Sequence, residues 1–277
     1  MKIGFVGKGG SGKSSMSWLF SHVLAQSGTP VLAIDADHNM DLTSNLGVDE
    51  SDLPTMLSTH SIFREIVGLK NGDVWGDLVR DETRPKPSFT INPPDYYTEA
   101  VRTNVCENLD LINVGLGSEE ALYLARCSHG NSAPLKFYLP FLAEDEAAVI
   151  VDGVAGTDMM NFGLYAGIDA LVCVVEPHRN SVKVFELIKS VAERTNIPVF
   201  AILNKPSTNE FHTLMREKYA NQVIGEIPLD VAVQDLTANT LASQTQNAVH
   251  AIWNRLKEII PKTDHKKRLA DIVALKS

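Results

Sequence analysis

The sequence predicts an α/β protein in which a mostly parallel, doubly wound sheet is flanked by helices, and three features of its 277 residues support this class. Short apolar runs with the length of buried strands recur along the chain. Segments with helical spacing of apolar residues separate them, an alternation that favours right-handed crossovers and a parallel sheet. A glycine-rich turn joins the first strand to the first helix.

The elements are predicted in the following order. Strands are expected at residues 2–6, 31–34, 109–114, 147–152, 169–176, 198–204 and 223–228. Helices are expected at residues 14–26, 133–142, 181–193, 209–219 and 248–260. We interpret residues 1–277 as a single domain, with an irregular excursion rich in proline and aspartate at about 80–108 and a helical tail at about 247–277.

Composition narrows the possible function. A net charge of −9 does not suit general nucleic-acid binding, which requires a basic face. Three cysteines without paired spacing favour a reducing compartment, and no signal peptide or run of about 20 apolar residues is present, so we expect a cytoplasmic protein. The tail after Pro261 mixes basic and apolar residues, and a docked or frayed terminal helix is favoured there over a membrane-surface helix.

The turn reads GKGGSGKS at residues 7–14 and fits a phosphate-binding loop, because it follows a strand and opens a helix. Glycines let backbone N–H groups converge on an anion, and the helix N-terminus adds positive potential. Lys13 is expected to reach the β- and γ-phosphates, and Ser14 to bind Mg²⁺. The predicted nucleotide contacts of the loop are Gly9, Gly10, Ser11, Gly12, Lys13, Ser14 and Ser15.

A second lysine, Lys8, follows the first glycine of the loop. From that position a lysine does not curl back easily onto its own phosphates. Its long side chain can instead extend to a nucleotide held by a second subunit and neutralise charge that develops during phosphoryl transfer. A solvated surface lysine is the alternative.

This loop resembles the deviant Walker A motif of the MinD/ParA/Mrp/nitrogenase iron protein class of P-loop ATPases, in which the early lysine is the signature residue. The resemblance implies a P-loop NTPase fold and a nucleotide-dependent homodimer. It also implies that Lys8 crosses to the phosphates of the other subunit.

Three aspartates follow buried strands, at the edge where open α/β sheets bind ligands. Asp35 is expected to order the Mg²⁺ shell, and Asp37 to orient or activate the attacking water. Asp152 ends the strand of VIVDGVAG, where a carboxylate can hold Mg²⁺. IDADHNMDL and D-x-x-A-G resemble the two switch regions of the same class.

Asn204 ends a later strand in ILNKPS, and its amide suits a purine edge. The guanine-reading N-K-x-D pattern is absent, because Thr208 and Asn209 follow Ser207, so ATP is favoured over GTP. The class uses an Asn at this place for adenine, and GEIPLD, with Pro228, resembles its base-covering loop. A helix cap or turn is the alternative role for Asn204.

Within this class, about residues 1–240 resemble the CooC ATPases, which help to insert nickel into carbon monoxide dehydrogenase. DGVAGTDMMNFGLYAGIDALVCVVEPHRNSV and FTINPPDYY carry the likeness. CooC proteins have a Cys-x-Cys motif, but this chain has Cys127 and His129 in ARCSHGNS. In a two-fold dimer these could form a Cys₂His₂ site for Ni²⁺ or Zn²⁺, the alternative being a buried thiol near an exposed histidine.

The sequence thus predicts a Mg²⁺-dependent, dimeric ATPase that cycles between ATP and ADP. We expect a metalloenzyme-maturation role, with a carbon monoxide dehydrogenase-like client, and no nucleic-acid or membrane partner. The alternative is a MinD- or ParA-like positioning or partitioning ATPase without a metal role. An iron–sulfur reductase is excluded by the lack of cysteine in residues 153–168, and a non-catalytic scaffold by the presence of Lys13, Asp37 and Asp152.

Overall fold

The computed structural model describes residues 1–37, 39–51, 53–81, 83–115, 133–143, 146–156, 158–161 and 163–274. Its eight strands form one sheet in the order β3-β4-β2-β5-β1-β6-β7-β8, parallel except for β3. The strands are β1 (Lys2–Gly7), β2 (Val31–Asp35), β3 (Arg102–Cys106), β4 (Leu109–Asn113), β5 (Ala148–Asp152), β6 (Ala170–Val175), β7 (Val199–Asn204) and β8 (Val223–Ile227).

Helices cover both faces of the sheet, as the sequence predicted. They are α1 (Lys13–Gln26), α2 (Asp41–Asn45), α3 (His60–Ile66), α4 (Asp77–Arg80), α5 (Tyr96–Val101), α6 (Ala133–Tyr138), α7 (Asp158–Asn161), α8 (Arg179–Glu193), α9 (Glu210–Lys218), α10 (Val231–Gln234), α11 (Ser243–Ile259) and α12 (His265–Ala274). Short 3₁₀ turns occupy Leu139–Phe141, Leu164–Gly167 and Ala238–Thr240.

Two apolar cores, one on each face, explain why the central strands are continuous apolar runs. In β1, Ile3 and Phe5 pack into one core and Val6 into the other. In β2, Ala33 and Ile34 divide between the two cores in the same way. Successive side chains of a strand point to opposite faces, so a strand covered on both faces has no polar side to display.

The stretch 80–108, predicted to be irregular, contains α5 and β3. Strand β3 lies at the edge of the sheet and pairs antiparallel with β4, with a bulge between Asn104 and Cys106. Its residues are half-buried or exposed. An edge strand exposed in this way lacks the apolar run by which the other strands are recognised, which is why the sequence pattern missed it.

The C-terminal helix α12 is docked on the body of the protein. Leu269, Ile272 and Val273 are buried in the larger apolar core. None of the helices in the described ranges combines the length and apolar character needed to cross a membrane. The apolar face of α12 is therefore satisfied by the protein itself, in agreement with the favoured interpretation of the tail.

Candidate nucleotide-binding site

The glycine-rich loop connects the end of β1 at Gly7 to the start of α1 at Lys13. Gly10 and Gly12 have φ angles of 75° and 90°, in the left-handed region that glycine adopts without strain. A Cβ atom on Gly12 would also lie 2.7 Å from the Asn204 amide nitrogen. Glycine at this position therefore permits both the turn and the close approach of β7.

The two lysines of the loop have different surroundings. Lys13 is buried in the first turn of α1, at the positive end of the helix. Lys8 is partly exposed, and its ammonium donates a hydrogen bond to the carbonyl of Gly9 at 3.2 Å. The first cation is thus fixed by the fold, whereas the second lies on the outer side of the loop.

Three polar residues line up across neighbouring strands beside the loop. Asp35 of β2 is in register with Asp152 of β5 on one side and with Asn113 of β4 on the other. All three side chains are buried. Because parallel strands end together, the register brings both predicted magnesium carboxylates to one level at the carboxyl edge of the sheet.

Asp35 is held by a chain of hydrogen bonds. Its Oδ2 accepts from the backbone N–H of Thr43 at 2.8 Å and from the Thr43 hydroxyl at 2.7 Å. The Asn113 amide in turn donates to the Thr43 hydroxyl at 2.6 Å. Burial raises the pKa of Asp35 to about 6, against the opposing effect of these hydrogen bonds.

Burial raises the pKa of Asp152 even more than that of Asp35. Desolvation raises the pKa of Asp152 to about 7, with a further contribution from the Asp35 charge, while Ser14, Ser17 and Lys13 act in the opposite direction. The Ser17 hydroxyl donates to Oδ1 at 3.1 Å. Among the described residues, no side chain or backbone group makes a hydrogen bond to Oδ2. A buried carboxylate oxygen without a donor, beside a second carboxylate, fits a divalent cation.

Asp37, predicted to handle the attacking water, lies just beyond β2 and is half-buried. Its backbone N–H donates to Asp35 at 3.2 Å, and its own Oδ1 accepts from the N–H of Asn39 at 3.1 Å. A short turn therefore places Asp37 beside Asp35.

A cavity of about 160 Å³ opens at the other end of the loop. Its lining includes Asn204, Met16, Pro228 and Leu229. The Asn204 amide nitrogen donates to the carbonyl of Ser11 at 3.0 Å, which leaves its oxygen as an acceptor. Apolar residues such as Met16 and Leu229 beside polar ones such as Asn204 are typical of a pocket for a flat heterocycle that also offers hydrogen bonds.

Sequence reasoning missed three residues that support the carboxylates: Ser17, Thr43 and Asn113. Asn113 carried a usable signal, because it lies next to the end of the predicted strand 109–114, at the ligand-binding edge. Ser17 and Thr43 carried none, since the role of each depends on a contact between two different elements of the fold.

The predicted transition-metal ligands, Cys127 and His129, lie outside the described residues. Within the described ranges, no group of three or more His, Cys, Asp or Glu side chains could hold a metal ion by itself. The Cys127 and His129 site stays a prediction.

Comparison with known proteins agrees with this geometry. Residues 5–242 match the CobQ/CobB/MinD/ParA nucleotide binding domain. The chain belongs to this family. The carbon monoxide dehydrogenase accessory protein CooC of Rhodospirillum rubrum is 25% identical over 95% of this chain and 98% of its own. An uncharacterized ATP-binding protein of Methanocaldococcus jannaschii is 28% identical over 82% of this chain and 88% of its own.

Solved structures of the family share the fold. The septum site-determining protein MinD of Pyrococcus horikoshii, complexed with Mg-ADP, superposes with a TM-score of 0.61 at 16% identity, covering 93% of this chain and 96% of its own. A plasmid partition protein of Borrelia burgdorferi bound to AMPPNP gives 0.59 at 19% identity, covering 93% and 99%. These two matches, at such low identity, support the predicted fold class.

Proposed function

We propose that this chain is a Mg²⁺-dependent ATPase that works as an ATP-gated homodimer in the maturation of a metalloenzyme. The observation that carries the proposal is the register of Asp35 and Asp152 beside a loop that bears one buried and one outward lysine. A phosphate loop, a pair of carboxylates and an outward cation together are suited to cleavage of a terminal phosphate.

Each residue has a specific task in this scheme. Lys13 and the loop N–H groups would bind the β- and γ-phosphates, while Asp37 would orient the water for attack. Ser14, Asp35 and Asp152 are the residues that would hold Mg²⁺. When bound, this ion neutralises charge on the phosphate oxygens. Thr43 and Asn113 keep the Asp35 carboxylate in a single orientation.

Adenine is the base that Asn204 favours. One N–H of the amide donates to Ser11, and the amide oxygen is left to accept a hydrogen bond. The 6-amino group of adenine is a donor, whereas the corresponding atom of guanine is an acceptor. Pro228 and Leu229 would cover the apolar faces of the ring.

Lys8 would act across a dimer. Its position on the outer side of the loop supports this assignment, since its ammonium donates an exposed hydrogen bond to the carbonyl of Gly9. ATP would draw two subunits together, and hydrolysis would release them. The conformational cycle would then be the useful product, with slow turnover.

The similarity to the CooC protein favours a metalloenzyme client, such as a carbon monoxide dehydrogenase-like protein, with Ni²⁺ or Zn²⁺ as cargo. The alternative is a positioning or partitioning ATPase, as in the MinD and plasmid partition structures. Two observations weigh against that alternative: the apolar face of α12 is buried, and the net charge is −9.

A Lys8→Ala substitution tests the dimer mechanism. We expect ATP affinity to stay within about threefold of the native value while turnover falls by at least about 100-fold, because the cation acts only on charge developing in the transition state. Titration calorimetry would measure binding, phosphate release would measure turnover, and light scattering would report the mass with a non-hydrolysable ATP analogue.

The matched control is Lys183→Ala, which removes an exposed lysine from α8 and should change none of the three readouts. Normal turnover by the Lys8 variant would refute action in trans. A native chain that stays monomeric with the analogue would refute the dimer.

A further inference from the structure

The segment between β5 and β6, which includes residues 153–168, begins with residues that contact the start of the glycine-rich loop. The N–H of Gly153 donates to the carbonyl of Phe5 at 3.2 Å, and the N–H of Gly156 donates to the carbonyl of Gly7 at 2.9 Å. The first residues after Asp152 therefore lie along the end of β1. These two backbone hydrogen bonds connect them directly to the strand and loop.

The other end of this segment is held by the C-terminal helix. One terminal nitrogen of Arg268 donates to two carbonyls, that of Tyr165 at 3.1 Å and that of Ile168 at 2.7 Å. The second terminal nitrogen reaches the hydroxyl of Thr263 at 3.4 Å. One guanidinium thus spans the 3₁₀ turn Leu164–Gly167, just before the segment enters β6.

Packing makes this end of the segment rigid. Leu164, Ile168 and Leu269 are buried in the same apolar core. A Cβ on Gly167 would lie 2.3 Å from the Cβ of Leu139, so the turn is pressed against its neighbour. One end of the segment between β5 and β6 therefore contacts the glycine-rich loop through Gly153 and Gly156. The other end is tightly held by Arg268.

Docking of α12 alone does not require this arginine, because three buried apolar residues already attach the helix. Partial burial of the guanidinium lowers the pKa of Arg268, although Asp169 nearby raises it, so the cation occupies an unfavourable environment. Arginine suits the position because one terminal nitrogen donates to both carbonyls while the other reaches Thr263, and the planar guanidinium holds these donors in a fixed arrangement that lysine lacks.

We propose that Arg268 is a positioning residue for ATP hydrolysis, an inference that rests on the proposed function. By fixing the carbonyls of Tyr165 and Ile168, it provides the fixed end against which the residues after Asp152 move when nucleotide binds. Without that fixed end, movement of the loop would displace the 3₁₀ turn Leu164–Gly167. It would then not order the residues after Asp152 for hydrolysis.

The test compares Arg268→Met and Arg268→Lys with the native chain, at a temperature where circular dichroism shows all of them folded. We expect kcat for ATP to fall about tenfold or more in Arg268→Met and less in Arg268→Lys, while the Kd for ATP stays within twofold. Hydrogen exchange of residues 153–168 should lose the protection that ATP confers. The control is Lys267→Met, an exposed cation on the same helix, which should change neither quantity.

Unchanged kcat in Arg268→Met, or loss of kcat only in proportion to the unfolded fraction, would overturn the proposal. So would a fall in affinity that matches the fall in turnover. Should the native chain fail to hydrolyse ATP, the proposed function fails. In that case hydrogen exchange alone tests whether Arg268 couples nucleotide binding to residues 153–168. Unaltered protection of these residues in Arg268→Met would overturn the coupling.

Discussion

Two buried carboxylates facing one another across adjacent strands are costly for a folded protein. Both Asp35 and Asp152 have raised pKa values because burial disfavours their charged forms. The fold tolerates Asp35 through Thr43, but Asp152 keeps an oxygen without a donor among the described residues. Such a cost is expected at a functional site rather than in a purely structural core, which supports the proposed role of the pair.

Asp169 shows the opposite behaviour at the other end of the sheet. Its Oδ2 accepts from the backbone N–H of Lys2 at 2.7 Å, and its Oδ1 lies 2.9 Å from the Nε2 of His265. Burial alone would raise its pKa, but these contacts lower it below the ordinary value of 3.8. The charged form is therefore more stable in the folded protein than in the unfolded chain.

An Asp169→Asn substitution should reveal a pH-dependent contribution to stability. A lowered folded pKa stabilises the protein above about pH 4, and this contribution is lost as the pH falls through the folded pKa. We expect the substitution to lower the free energy of unfolding by about 1–2 kcal/mol at pH 7, and by less at pH 3. Urea unfolding at the two pH values measures the difference.

Asp271→Asn, on the exposed side of α12, is the control for removing one carboxylate from the same region. An equal loss at pH 7 and pH 3 in the Asp169 variant would mean that its effect is packing and not charge.

At the scale of elements, the sequence was sufficient to predict a feature where the residue types present permit few other structures. The glycines and Lys13 of the first loop predicted both its turn and the start of α1, and strand-ending aspartates predicted the carboxylate edge. The boundaries of α11 and the presence of the edge strand β3 were harder to predict from the sequence, because they depend on contacts with neighbouring elements. Thr43 could not have been assigned at all, since its contact with Asp35 arises only when α2 packs against β2.

The loop that is proposed to cover the base is stabilised by a carboxylate that the sequence argument did not use. Asp230 caps α10 through the N–H of Ala232 at 2.9 Å. It also accepts from the N–H of Ala242 at 3.0 Å and from the hydroxyl of Thr245 at 2.6 Å. These bonds connect the wall of the cavity to the beginning of α11.

We expect Asp230→Ala to lower ATP affinity by about tenfold, because the loop would lose its connection to α11 and the cavity its wall. Thr245→Val should have a smaller effect of the same sign, and the double variant should be no worse than Asp230→Ala alone. Calorimetric titration with ATP would measure all three. Full additivity would contradict the idea that the two side chains act through one hydrogen bond.

At the scale of the whole molecule, β1 links two polar sites at opposite edges of the sheet. Its first residue, Lys2, has a buried ammonium that donates to the carbonyls of Leu139 and Leu142 at 3.0 and 2.8 Å. Its last residue, Gly7, opens the phosphate loop. A strand of this length spans about 20 Å. The strand that carries the loop is thus fixed at its start by the segments that also surround α12.

The proposed transition-metal site belongs to the scale of the whole molecule, because it would be shared by two subunits. The two predicted ligands of one chain, Cys127 and His129, would be too few for a stable site, whereas a dimer would supply four. We therefore expect one Ni²⁺ or Zn²⁺ per dimer when a non-hydrolysable ATP analogue is present, and weaker binding without it. Cys127→Ser should abolish this stoichiometry. Cys106→Ser, which removes the exposed cysteine of β3, should leave it unchanged. Equal stoichiometry in the native chain and the Cys127 variant, measured by metal titration of the dimer, would eliminate the shared site and leave the ATPase proposal standing by itself.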